Sequence, residues 1–174
     1  MKHIYFITLF PLVAFSNTYA ADGTITINGQ IADSSCVISG PTTNGDFAVK
    51  LPTISKANLS ADGDTAGRTP FSITVSDCDG TAVSTFFDAG MNLNATTGNL
   101  DSTGTAENVQ IQLLGENSNP INLAQNNVSG QDNSQWVTLK GNSATLNYAA
   151  QYYATGAVKV GDVSTQVQYS IIYQ

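Results

Sequence analysis

Apolar residues along this chain recur at every second position, and no stretch keeps the i, i+3, i+4, i+7 spacing of an amphipathic helix. Alternation of that kind places one face of a strand on a core and the other in water, so the fold class is all-β. Ile25, Ile27 and Ile31 share one parity, with Gly23 and Gly29 on the same register, which predicts a strand over Thr24 to Ile31. Cys36 to Ile38 starts the next extended piece, and Val49 and Leu51 lead into Pro52. The polar stretch from Ser55 to Thr69, punctuated by Gly63 and Gly67, reads as loop. Phe71, Ile73 and Val75 alternate toward Cys78 after Pro70, whose missing N–H suits the start of a strand. Val83, Thr85 and Phe87 follow an Asp77-Cys78-Asp79-Gly80 turn. Further strands are predicted at Met91 to Leu93, Val109 to Leu113, Ile121 to Leu123, Trp136 to Leu139 and Leu146 to Tyr152. A last one carries Val167, Tyr169, Ile171 and Tyr173 on one face. Many short strands between turn signals suit a sandwich of the immunoglobulin type.

The first twenty residues depart from this pattern. Lys2 and His3 precede an apolar run from Ile4 to Phe15, and Thr18 and Ala20 stand at the small-residue positions before Ala21. This is the layout of a secretory signal, and the run is too short for a comfortable membrane span. The exported chain then starts at Ala21, is of a size for one domain, and is expected to be soluble. Charged residues make up only 11% of the sequence, so Thr, Ser, Asn and Gln must cover the surface instead. Thirteen acids against six bases argue against nucleic acid and anionic membranes as partners. Cys36 and Cys78 are the two cysteines; outside the reducing cytoplasm an intramolecular disulfide is the economical reading. Closing a loop of about forty residues would stabilise the fold by roughly 4 kcal/mol in the chain-entropy model.

Candidate chemistry is sparse. The one histidine, His3, leaves with the signal, which removes imidazole as base or metal ligand. No glycine-rich phosphate loop opens a helix, and no cofactor is expected. Asp62 with Asp64, and Asp77 with Asp79, are the nearest carboxylate pairs for a hydrolase, but both sit beside glycines where turn formation is the simpler role. Asp62-Gly63-Asp64 lacks the downstream oxygens that a calcium cage needs. Trp136 and the pair Tyr152-Tyr153 could stack on a sugar, though in a sandwich such rings are more often core or interface. A monomeric carbohydrate-binding module with a closed sandwich is therefore a second reading, and an acidic-residue hydrolase a third.

Both ends carry a more specific signal. Ala21-Asp22-Gly23-Thr24-Ile25-Thr26-Ile27-Asn28-Gly29-Gln30-Ile31 followed by Cys36 resembles the mature start of chaperone-usher pilins. Within them it looks most like the minor tip adaptor subunits of type 1 fimbriae. The position of Cys78, the stretch Gln151-Tyr152-Tyr153-Ala154-Thr155-Gly156, and the closing Tyr169-Ser170-Ile171-Ile172-Tyr173-Gln174 also resemble that family.

The resemblance implies a division into a signal peptide (1–20), an N-terminal donor-strand extension (21–33) and a pilin domain (34–174). It implies an incomplete immunoglobulin-like β-sandwich, completed by a donor strand from another subunit. A periplasmic chaperone would fill the groove first; at the outer-membrane usher, the next subunit's extension would replace it, building a cell-surface fimbrium that mediates adhesion. Gly23, Ile25, Ile27, Gly29 and Ile31 would form the donor strand, with Gly29 allowing close backbone approach. Tyr169, Ile171, Tyr173 and the terminal carboxylate of Gln174 would line this subunit's own groove edge and face the chaperone. A minor adaptor role is the expectation, with the major rod subunit as the alternative.

Overall fold

The computed structural model describes residues 36–39, 45–125 and 131–174, all within one compact unit. Among the described residues eight strands run in chain order: β1 (Val37–Ser39), β2 (Thr65–Ser76), β3 (Ala82–Asp88), β4 (Leu100–Asp101), β5 (Glu107–Leu114), β6 (Val137–Thr138), β7 (Ala144–Lys159) and β8 (Gln168–Tyr173). They form two sheets, one of order β1-β2-β7-β5-β4 and one of order β6-β3-β8, with antiparallel pairing throughout. The fold is the incomplete immunoglobulin-like sandwich. Two short 3-10 turns are the helical elements among the described residues, and none of these helices is long and apolar enough to cross a membrane.

β7 organises the larger sheet because its sixteen residues pair with β2 on one side and β5 on the other. Its inward positions Leu146, Tyr148 and Ala150 stack with Ile73 and Val75 of β2 and with Ile111 and Leu113 of β5. Across the layer β3 contributes Val83 and Phe87, and the Phe87 ring meets Tyr148 edge-on with centroids 5.0 Å apart. The alternation in these segments thus becomes a shared core, as period-two patterning requires. Cys36 and Cys78 are bonded, which ties the start of β1 to the end of β2.

Three predicted segments take another form. β2 begins at Thr65, inside the expected loop, and pairs with Tyr152 and Tyr153 across a bulge between Ala66 and Thr69. The bulge hides the strand from a period-two reading. Gly67 adopts φ +69°, and a Cβ there would lie 2.9 Å from Cδ2 of Tyr152, so only glycine lets that ring settle on the bulge. Met91 to Leu93 is not a strand: Gly90 (φ +51°) turns the chain, its N–H donates to Asp88 Oδ1 at 2.9 Å, and a 3-10 turn spans Gly90–Asn92. Ile121 and Leu123 are buried but make single bonds to Leu113 O and Gly98 O instead of a ladder.

Candidate functional site

The two sheets do not meet alike on all sides. β1 and the extended segment 46–51 form one lip of an apolar cleft, and β8 forms the other. In 46–51 exposure alternates strictly, with Phe47, Val49 and Leu51 half-buried against the core and Asp46, Ala48 and Lys50 outward, yet no ladder pairs these residues among those described. On the opposite lip Val167, Tyr169 and Ile171 are likewise half-buried and packed on the core. Aromatic contacts connect the lips to the interior: Phe47 lies 6.1 Å from Tyr169 and 5.7 Å from Phe71, which lies 5.7 Å from Tyr148.

The backbone of β8 sets what this cleft can do. Gln174 exchanges hydrogen bonds with Ala82, its N–H donating at 2.9 Å and its oxygen accepting at 3.2 Å. Antiparallel alternation then directs the main-chain groups of Ile172, Ser170 and Gln168 toward their partners Ser84, Phe86 and Asp88. Tyr169, Ile171 and Tyr173 present their N–H and C=O groups the other way, into the opening. Among the described residues no strand pairs with that edge.

Two tyrosine hydroxyls reach across the cleft. Tyr169 Oη donates to Gly45 O at 2.5 Å, and Tyr173 Oη accepts from the Cys36 N–H at 3.3 Å. Gly45 sits at φ +76°, and a Cβ on it would approach Tyr169 Oη to 2.9 Å, so glycine is needed for the contact as well as the turn. Burial, with the Asp46 carboxylate adding to it, raises the Tyr169 phenol above its ordinary value and keeps it a donor.

Of the residues singled out in the sequence, Gly23, Ile25, Ile27, Gly29 and Ile31 lie outside the described residues. Tyr169, Ile171 and Tyr173 stand together along the open edge of β8, with Tyr173 36% exposed. The Gln174 main-chain oxygen meets the start of β3, where it also accepts from Thr81 N at 2.8 Å and Thr81 Oγ1 at 2.9 Å. Gly45 and Phe47 were not anticipated; the Phe47-Val49-Leu51 alternation was the available signal.

The other candidates resolve into structural parts. Asp64 Oδ2 accepts from the N–H groups of Ser60 and Ala61, both at 2.8 Å, and from Ser60 Oγ at 3.2 Å, and the backbone bonds hold its carboxyl below the ordinary value. Tyr152 covers Gly67 and donates to Pro52 O at 3.3 Å, fixing the end of the 46–51 lip. Tyr153 pairs within the β2–β7 ladder, and Trp136 is exposed just before β6. Among the described residues, no three His, Cys, Asp or Glu side chains cluster closely enough to hold a metal ion.

Comparison with known proteins agrees with this geometry. The family model of type-1 fimbrial protein, A (FimA) matches residues 51–174. The chain is 49% identical over 160 residues to the major fimbrial subunit SMF-1 of Stenotrophomonas maltophilia, covering 88% of this chain and 94% of that protein. It is 38% identical over 184 residues to the F17 fimbrial protein of Escherichia coli, covering both in full. The solved P pilus rod subunit PapA superimposes with a TM-score of 0.62 at 20% identity, over 80% of this chain and 99% of that one, which speaks for the fold. On the family match and these identities together, the chain belongs to the type-1 fimbrial protein family.

Proposed function

We propose that this protein is a non-catalytic structural subunit of a chaperone-usher fimbria, exported through the periplasm and assembled at the cell surface by strand exchange. The observation that carries the reading is the unpaired edge of β8: Tyr169, Ile171 and Tyr173 offer main-chain groups to an opening whose facing lip, 46–51, is extended and has no ladder among the described residues. A row of free N–H and C=O groups beside apolar side chains is an aggregation hazard unless a strand is supplied, and β-augmentation in trans supplies one. The chaperone provides that strand first; a neighbouring subunit then replaces it at the usher. The chain's own extension, residues 21–33, completes the subunit assembled before it, with Ile25, Ile27 and Ile31 entering that subunit's pockets. Three isoleucines buried at roughly 1.5 to 3 kcal/mol each give about 5 to 9 kcal/mol before ordering costs. That rivals the whole stability of an ordinary domain, about 5 to 15 kcal/mol.

A rod role is favoured by likeness to a protein named as a major subunit along most of the chain. The adaptor role is supported chiefly by the short stretch Ala21 to Gly29, and by likeness at 35% identity to a Haemophilus influenzae protein named as a minor fimbrial subunit. Labelling the subunit along shed filaments separates them: dense periodic labelling fits a rod protein, and labelling confined to tips fits an adaptor.

The functional reading is tested by Ile27→Asp, which places a charge in an apolar pocket. The variant is expected to fold with the chaperone and to fail to enter fimbriae; normal incorporation would contradict the assignment of the donor face.

A further inference from the structure

The three-stranded sheet has a second edge, on the far side of β3, and it is closed by an unusual device. β3 directs the main-chain groups of alternate residues Val83, Thr85 and Phe87 away from β8, and the Thr81 carbonyl just before it points the same way. Leu139 N–H donates to Thr81 O at 2.9 Å, and Val83 pairs with Val137 of β6. There β6 ends, two residues long, and side chains take over. Ser134 Oγ donates to Thr85 O. The Gln131 amide binds both main-chain groups of Phe87: Oε1 accepts from its N–H at 2.9 Å and Nε2 donates to its C=O at 2.8 Å. A primary amide carries the same donor and acceptor as a peptide unit, so Gln131 meets Phe87 as a residue of an antiparallel strand would.

The support for these two side chains is as specific as the contacts. Both are 3% exposed. Ser134 N–H donates to Gln131 O at 3.0 Å, closing a tight turn, and Asn133 sits in it at φ +67°, which bends the backbone away from any strand path. Asn133 Nδ2 donates to Pro120 O at 2.7 Å, and Ser84 Oγ donates to Ser134 O at 2.7 Å, fixing the turn on the edge it covers.

We propose that Gln131 and Ser134 are specificity-determining residues for strand addition: they occupy the β3 edge beyond β6 and leave β8 as the acceptor edge of this sheet. The inference rests on the proposed function, since a seal has meaning where a strand is to be accepted elsewhere. Sealing this edge leaves the three-stranded sheet with a single acceptor edge, which favours a linear fibre over a branched aggregate.

The test uses the full exported chain, wild type and Gln131→Ala/Ser134→Ala, with a synthetic peptide of residues 21–34 as the probe strand, and counts bound peptides by native mass spectrometry. One peptide on the wild type and two on the variant is the expected result. None on the wild type and one on the variant would overturn acceptance at β8 while upholding the seal. Equal numbers on both would overturn the seal. Near-ultraviolet circular dichroism reports folding; should the double variant lose it, Gln131→Met, of similar volume, opens Phe87 alone and is judged by the same counts. In the peptide-free wild type the Phe87 amide must also resist hydrogen exchange, and exchange there as fast as at Ile171 would overturn the proposal without any variant.

Discussion

The two edges of the small sheet solve the same problem in opposite ways. Along β3 every outward main-chain position from Thr81 to Phe87 is faced by something: Leu139, β6, Ser134 or Gln131. Along β8, no strand pairs with the outer edge among the described residues, and the lips are joined by two tyrosine hydroxyl contacts and by the Phe47–Tyr169 ring pair. Four residues, 131–134, placed just before a two-residue strand suffice to blunt an edge in this fold. Among the described residues nothing comparable covers β8, and the half-buried state of Phe47, Val49, Tyr169 and Ile171 fits the acceptor cleft proposed there.

The comparison can be strained by removing what frames each edge. The largest effect is expected from Cys36→Ser/Cys78→Ser. The bond closes a separation of 42 residues and anchors β1 at the open side, so its loss should cost about 4 kcal/mol in denaturant unfolding, in the chain-entropy model. A loss under about 1 kcal/mol would mean that the lip is held by other means.

Gln131→Ala comes next. It removes two hydrogen bonds and leaves the Phe87 N–H and C=O buried without partners, a cost of about 2 to 3 kcal/mol. Tyr169→Phe removes one bond at the open edge and should cost about 1 kcal/mol. If the sealed edge is structural and the open edge reserved for a partner, the first variant must be the more damaging of these two in thermal melts.

The smallest effect is a pH dependence. Burial raises the Tyr148 phenol above its ordinary value of 10.0, and burial with Asp46 does the same to Tyr169. The folded state thus holds these protons more tightly than the unfolded one. The associated stability is fully present below pH 10 and is lost as pH rises through the folded-state values. Unfolding free energy should be flat up to about pH 10 and then fall, and Tyr148→Phe should make the fall shallower.

Much of this was legible in the sequence, and what was missed has a common cause. Strands with uninterrupted alternation, such as Phe71 to Val75 and Leu146 to Tyr152, appear where period two placed them because both faces have a constant environment. β2's first residues escaped because the bulge at Gly67 shifts the parity. Ile121 and Leu123 resemble a strand because burial alone makes them apolar. In the cleft, the β8 residues were visible as a pattern, whereas Gly45 acquires its role only when Tyr169 arrives from 124 positions away. Gln131 and Ser134 were invisible for a related reason: a polar side chain standing in for a strand carries no periodic signal, only a partner.

Hydrogen exchange of the lone exported chain tests the central claim most directly, because it reads each backbone amide for a partner. The account predicts that the amides of Tyr169, Ile171 and Tyr173 exchange rapidly while that of Phe87 is protected, and that adding the 21–34 peptide slows the three β8 amides. Amides along β8 already protected in the chain alone, and unchanged by the peptide, would contradict it.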